Sequence, residues 1–264
     1  MGEINSVITH FSPFIFLAIL RPLGIFIILP VLTSKSLGGG VIRNAIILLI
    51  VIPAIPSLID MPLFQKQQAL GFSFIFASVG EIIIGLIIGF VAAIPFWATD
   101  SAGYLIDTMR GSSMGNVYNP TLAESSTLIG VFFSQLLNVI FFSCGGINAL
   151  ITALYQSYTV LPAGTGVSFY KGLFDFLLEQ WDMLFTIFLR LTLPAAGIML
   201  ITDIGMGLLN RSAQQLNVFF LAMSIKSVLA LLILIIALPF LLKYLNFDVI
   251  NNILQTVKAW QEIS

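Results

Sequence analysis

Arg21, Glu81, Arg190 and Lys226 stand inside long apolar stretches, where placing a charge at a bilayer centre costs about 2.5 to 3.5 kcal/mol on insertion scales. Side chains in such places face a partner or a water-filled cavity, and two kinds of chemistry suit them. They can form ion pairs that hold helices together, or they can relay protons or ions. Helical spacing says where two of them point. Ser78, Glu81, Gly85, Gly89 and Ala92 recur at steps of three and four, and Gly85 with Gly89 makes a GxxxG, so Glu81 lies on a small-residue stripe that another helix can approach closely. Ala222, Lys226 and Ala230 make a similar stripe further on. Structural packing is the expected role of both charges, with the relay as the competing reading and their pairing with each other left open. Asp107 and Arg110 are three apart, the spacing of an ion pair on one helix. Asp203 and Arg211 complete the charges assigned to packing.

Other chemistry is missing. No H-E-x-x-H, G-x-S-x-G or Walker A sequence occurs, so neither an enzyme activity nor a cofactor is expected. His10 and Cys144 are the single histidine and cysteine, too few for a disulfide or a metal site built from one chain. Cys144 reads as a buried apolar thiol.

The elements that must position these residues are read from composition. Of 264 residues, 58% are hydrophobic and 9% charged, against about 25% charged in ordinary soluble domains. Such a chain cannot cover its own surface with polar groups, so insertion among membrane lipid is expected. With a net charge of −1 and no basic cluster, nucleic acid is excluded as a partner. No Lys or Arg precedes the first apolar segment, and a cleaved leader is not expected.

Six apolar blocks run at roughly 11 to 32, 41 to 59, 69 to 97, 127 to 161, 183 to 209 and 218 to 245. Each is interrupted: by Arg21-Pro22, Pro53 and Pro56, Pro95, Gly145-Gly146, Pro194 and Pro239 in turn. Each interruption marks an expected kink or helix end. Backbone groups freed at such breaks must find partners in protein or in a water-filled cavity. The fold class is therefore all-α, a membrane-type bundle of broken hydrophobic helices that is stable within a hetero-oligomeric assembly.

Three segments alternate instead with helical periodicity. Over 98–110, Ala102, Leu105, Ile106 and Met109 form an apolar face, and Asp100, Tyr104 and Asp107 the wet one. Over 171–182, Lys171, Asp175, Glu179 and Asp182 oppose Phe174, Leu177, Leu178 and Trp181. Residues 246–264 form an amphipathic C-terminal tail suited to an interface or a partner. With no internal repeat or long linker, residues 1–264 read as a single domain.

Between the amphipathic segment 98–110 and the longest charge-free block lies GSSMGNVYNPTLAESS, residues 111–126. Its glycines and small polar residues favour a non-helical loop. It either serves as a plain connection or folds inward to occlude a pore.

Four local patterns together resemble the T component of the type III secretion export apparatus, the SctT/FliR/SpaR family. They are Leu20-Arg21-Pro22 with Ile28-Leu29-Pro30 and Ile42-Arg43-Asn44-Ala45-Ile46; Gly80-Glu81 with Gly85 and Gly89; Pro95-Phe96-Trp97 with Gly103, Ile106-Asp107 and Arg110-Gly111; and Gly207-Leu208-Leu209 through Arg211 to Asn217-Val218-Phe219 and Ser224-Ile225-Lys226-Ser227. Order and spacing fit from about Leu20 to Leu232. The chain departs from the family at Met109, where Gln is common, and at Ala213-Gln214-Gln215-Leu216-Asn217, which lacks a usual proline.

The resemblance implies a subunit that joins R- and S-type export-gate subunits in a closed pore of the bacterial inner membrane, partly raised toward the periplasm. Unfolded secreted proteins pass through that pore in flagellar-type export and in injectisomes. It implies further partners in a U-type switch component, a V-type export ring and an inner rod protein. In the family the loop after the Asp-x-x-Arg-Gly signature plugs the lumen, which here falls on Gly111, Ser112, Ser113, Met114, Gly115, Asn116, Val117, Tyr118, Asn119 and Pro120. The competing class is a proton-coupled secondary transporter using Glu81, Asp203 and Lys226, which would be expected to carry internal repeats.

Overall fold

The computed structural model describes residues 16–54, 72–112, 127–162, 171–212 and 217–239. Seven α-helices hold most of them, and no strand occurs among the described residues. α1 is Phe16–Ile28 and α2 Gly40–Val51, with 3-10 turns at Pro30–Leu32 and Ile52–Ala54. α3 is Phe72–Met109, α4 Leu128–Ser143, α5 Gly146–Val160 and α6 Lys171–Ser212. α7 is Val218–Pro239. Three of them, α3, α6 and α7, are long and apolar enough to cross a membrane.

Several expected breaks are not helix ends. α1 runs on through Arg21 and Pro22, α3 through Pro95 and α6 through Pro194. A proline inside a helix frees the carbonyl four residues earlier, and in α1 that carbonyl belongs to Ala18. The Tyr158 hydroxyl of α5 donates to it at 3.0 Å. Tyr155, one turn earlier on α5, donates in the same way at 2.8 Å to the Ile50 carbonyl in the last turn of α2, just before Pro53. Two tyrosine hydroxyls thus supply hydrogen bonds to backbone at or beside prolines, which is what lets interrupted helices persist in an apolar setting. The glycine break does end a helix: after Cys144, Gly145 adopts a left-handed φ of 81° as the N-cap of α5, a conformation that favours glycine.

The chain divides into two compact units. One holds the described residues 16–54, 72–93, 145–162 and 171–179, and the other 94–112, 127–144, 180–212 and 217–239. α3 and α6 each contribute to both. In the first unit, Leu17 and Leu20 of α1 pack on Ala77 of α3, with Phe74 and Ile82 alongside, and Val91 packs on Phe176. In the second, the Phe96 ring meets Phe141 edge-on at 5.5 Å between centroids.

The 171–182 segment differs from its periodic reading. Phe174, Leu178 and Trp181 are exposed, and Phe176 and Gln180 are buried instead, so the apolar flank is not the packed one. The amphipathic tail, 246–264, lies outside the described residues.

Candidate functional site: two buried ion pairs and a joint between helices

In the first unit, α1 and α3 cross with their backbones touching. A Cβ at Gly85 would sit 2.1 Å from the Arg21 carbonyl oxygen, and one at Gly89 would sit 2.9 Å from the Ile25 Cα. Any larger residue at Gly85 would push the helices apart. The close approach brings Arg21 of α1 and Glu81 of α3 together, both almost wholly buried. Arg21 donates through Nε to Glu81 Oε2 and through Nη2 to Glu81 Oε1 at 3.2 Å, a two-pronged geometry that a guanidinium fork and a carboxylate share. Its remaining donors reach α5 and the residue after it: Nη1 to Ser157 Oγ at 3.1 Å and Nη2 to the Leu161 carbonyl at 2.6 Å. The guanidinium also lies 4.3 Å from the centroid of the Tyr158 ring, a cation–π distance. One arginine therefore ties α1 to α3 and to the end of α5, and the same Tyr158 ring that stacks on it carries the hydroxyl that serves Ala18.

In the second unit, Asp107 is fully buried, although its spacing assigns it to the wet face with Asp100 and Tyr104, both of which are exposed. The reason is the start of α4, which sits on it. Asp107 Oδ2 accepts the Ile129 N–H at 2.7 Å, and Arg110 Nη2 lies 2.6 Å from Oδ1. The first N–H groups of a helix lack partners within it and carry partial positive charge, so a carboxylate is well matched to that end. Thr127 caps the same end, its Oγ1 accepting from the Gly130 N–H at 3.3 Å. One helical turn before Asp107, Gly103 meets Gly130 so closely that a Cβ on Gly103 would fall 2.4 Å from the Gly130 Cα.

At the end of α3, Gly111 turns left-handed with φ 88°. Ser112 then folds back, donating its N–H at 3.1 Å and its hydroxyl at 2.8 Å to the Asp107 carbonyl. The Met223 side chain of α7 packs on Gly111. Of the residues assigned to a plug, only Gly111 and Ser112 are described. Ser113, Met114, Gly115, Asn116, Val117, Tyr118, Asn119 and Pro120 lie outside the described residues.

Lys226 of α7 pairs with Asp203 of α6 at 2.9 Å, with the acid half exposed. Glu81 and Lys226 therefore each have a different ion-pair partner, Arg21 and Asp203. Arg190 and Arg211 are exposed on α6, Arg211 in its last turn, where a cation suits the helix dipole. Cys144 is partly exposed, not the buried thiol expected.

The sequence reading missed Ser157, Tyr158, the Leu161 carbonyl and the Ile129 N–H. The first two had a signal: Tyr155, Ser157 and Tyr158 put three hydroxyls on a charge-free apolar helix, where each must find a buried acceptor or donor. The backbone partners had none. Among the described residues no group of His, Cys, Asp or Glu is arranged to hold a metal ion.

This is an all-helical, membrane-type chain whose charges tie its own helices together. It belongs to the family Bacterial export proteins, family 1, whose model matches residues 13–250. It is 41% identical to "Secretion system apparatus protein SsaT" of Salmonella typhimurium over 86% of this chain and 87% of that one. It is 37% identical to "Yop proteins translocation protein T" of Yersinia pestis over 82% of each. With "Flagellar biosynthetic protein FliR" of Bacillus subtilis it shares 24% identity over 94% of this chain and 93% of that one.

Proposed function

We propose that the chain is a subunit of the type III secretion export gate and helps form and close the pore through which unfolded proteins cross the bacterial inner membrane. The observation that carries this reading is the family match across residues 13–250, joined to relatives named for both secretion and flagellar biosynthesis. The same matches favour it over a secondary transporter. On this reading the whole chain acts as one export subunit, and its role is to build a conduit and not to catalyse a reaction.

R- and S-type gate subunits are its direct neighbours, with the U-type switch, V-type ring and inner rod as further partners and secreted proteins as cargo in transit. The uncovered apolar side chains support a place among other subunits or lipid: Leu193, Leu200, Ile201, Ile204 and Leu208 of α6 are all exposed. On this reading the gate is partly raised toward the periplasm. Residues 111–120 are the segment proposed to close the lumen.

A tagged copy, expressed with its R- and S-type neighbours and purified in mild detergent, tests the reading. Co-purification of those subunits, together with loss of type III secretion when the gene is deleted, is the expected result. A chain recovered alone from cells that still secrete normally would refute it.

A further inference from the structure

The exposed residues of α5 are Asn148, Thr152, Gln156 and Thr159, and all of them are polar and uncharged. Steps of four, four and three place them on one stripe of the helix. Ala149, Leu150, Ala153 and Leu154 are buried on the other side. The rotation of α5 is fixed by its remaining polar groups. Tyr158 and Tyr155 spend their hydroxyls on the Ala18 and Ile50 carbonyls, and Ser157 accepts from Arg21. Thr159, on the outward stripe, turns its hydroxyl onto the Gln156 carbonyl of its own helix at 2.7 Å. We propose that this stripe lines the conduit and is the surface along which a secreted polypeptide slides in its unfolded, extended state. The inference rests on the export reading above and names the part of the chain that meets the cargo.

The chemistry of the stripe sets it apart from the other outward faces of the same unit. Lipid tails cannot hydrogen-bond amides and hydroxyls, and the exposed apolar residues Phe76 and Val79 of α3 show what a face suited to lipid or to an apolar partner carries in this unit. A surface open to bulk water carries Lys, Glu and Asp, and Asp175 and Glu179 of α6 are exposed in this unit in that way. The stripe on α5 is neither apolar nor charged. Asn, Gln and Thr side chains both donate and accept hydrogen bonds, so they match water and the peptide groups of a passing chain whatever its sequence. Without a fixed charge they hold neither acidic nor basic segments strongly, and passage requires contacts weak enough to be released. From Asn148 to Thr159 the stripe is about 16 Å long, the length of about five extended residues.

The test uses the assembled gate in cells and a secreted protein fused to a tightly folded domain, so that its unfolded part stalls in transit. In a Cys144→Ser background, Thr152→Cys and Gln156→Cys are each oxidised in the presence of cysteines placed along the stalled segment. Both are expected to form a disulfide with the stalled chain. Ala153→Cys, at a buried position, and Phe76→Cys, at an exposed apolar one, are expected to form none. With Thr152→Lys and Gln156→Lys combined, assembly should stay at parental abundance. Secretion should fall about fivefold, the factor supplied by one added contact between unit charges at about 4 Å in water.

Cross-links from Thr152→Cys and Gln156→Cys to a neighbouring gate subunit instead of the stalled chain overturn the proposal, because the stripe is then a helix contact of the kind polar side chains also make. So does failure of the double Lys variant to assemble, and so does its normal secretion when assembled. Linkage at Phe76→Cys as strong as on α5 removes the special place of the stripe, and a stalled chain that co-purifies with the gate but links to neither α5 cysteine shows that the stripe faces elsewhere. The export reading fails separately: a stalled chain that neither co-purifies with the complex nor links to any of its cysteines refutes that reading and takes the inference with it.

Discussion

Glu81→Gln isolates the charge of the Arg21 cluster with the least change in shape. Glu81 accepts two N–H bonds from Arg21, and the guanidinium spends its other donors on Ser157 and Leu161. An amide in place of the carboxylate keeps one acceptor, turns an NH2 group toward the arginine, and leaves a buried cation without its counter-charge. Removing one partner of a buried pair destabilises by about 3 to 5 kcal/mol, a large part of the roughly 5 to 15 kcal/mol that holds a domain folded. The expected result is a steep fall in assembled gate, read as complex abundance on native gels and as a lowered denaturation midpoint in detergent. Arg21→Lys should also destabilise, because an ammonium cannot reach Glu81, Ser157 and Leu161 at once. Exchanging the two charges should not rescue assembly, since a carboxylate at position 21 would face the Leu161 carbonyl. Glu81→Gln assembling at parental abundance with an unchanged midpoint would refute a structural role for the Arg21–Glu81 charge pair. If that same complex also lost proton-dependent transport, the relay reading would replace it.

Tyr158→Phe should cost about 1 to 3 kcal/mol by leaving the buried Ala18 carbonyl unpaired, and should cost markedly less in a Pro22→Ala background, where the helix supplies its own N–H; additive effects in the double mutant would disprove the pairing of hydroxyl and proline. Gly85→Ala places a methyl group against the Arg21 carbonyl and should reduce assembly by about 1 to 3 kcal/mol, measured by the same denaturation assay, whereas Gly207→Ala, at a position with open space around it, should be silent. Shortening residues 113–120 while keeping Arg110 and Glu124 should leave assembly intact and raise ion conductance or dye entry; an assembled complex that stays tight would make the segment a connection only. Expressed without R-type partners, the chain should aggregate or be degraded, and a monodisperse, protease-resistant monomer would contradict this.

What the sequence revealed and what it hid separate along a physical line. The helical class follows from composition and from the cost of unpaired backbone in lipid. The place of Glu81 on a glycine stripe follows from a 3.6-residue period, because the residues that allow close approach and the charge they carry inward are neighbours on one helix. The partners of Glu81 could not be read that way. Arg21 is 60 positions away and Ser157 another 76, and periodicity within one helix carries no information about which helix arrives. Asp107 shows the same limit more sharply: its spacing puts it on the solvent side of α3, and only the start of α4, 22 positions on, turns that side into an interior. The prolines mislead for a related reason. Pro22 reads as a helix end because its missing N–H is visible in the sequence, whereas the hydroxyl that serves the freed carbonyl comes from Tyr158, 140 residues after Ala18. A proline in an apolar helix is thus a statement that a donor is needed, and in this chain the place to look for that donor was the run of hydroxyls on the one long block without a charge.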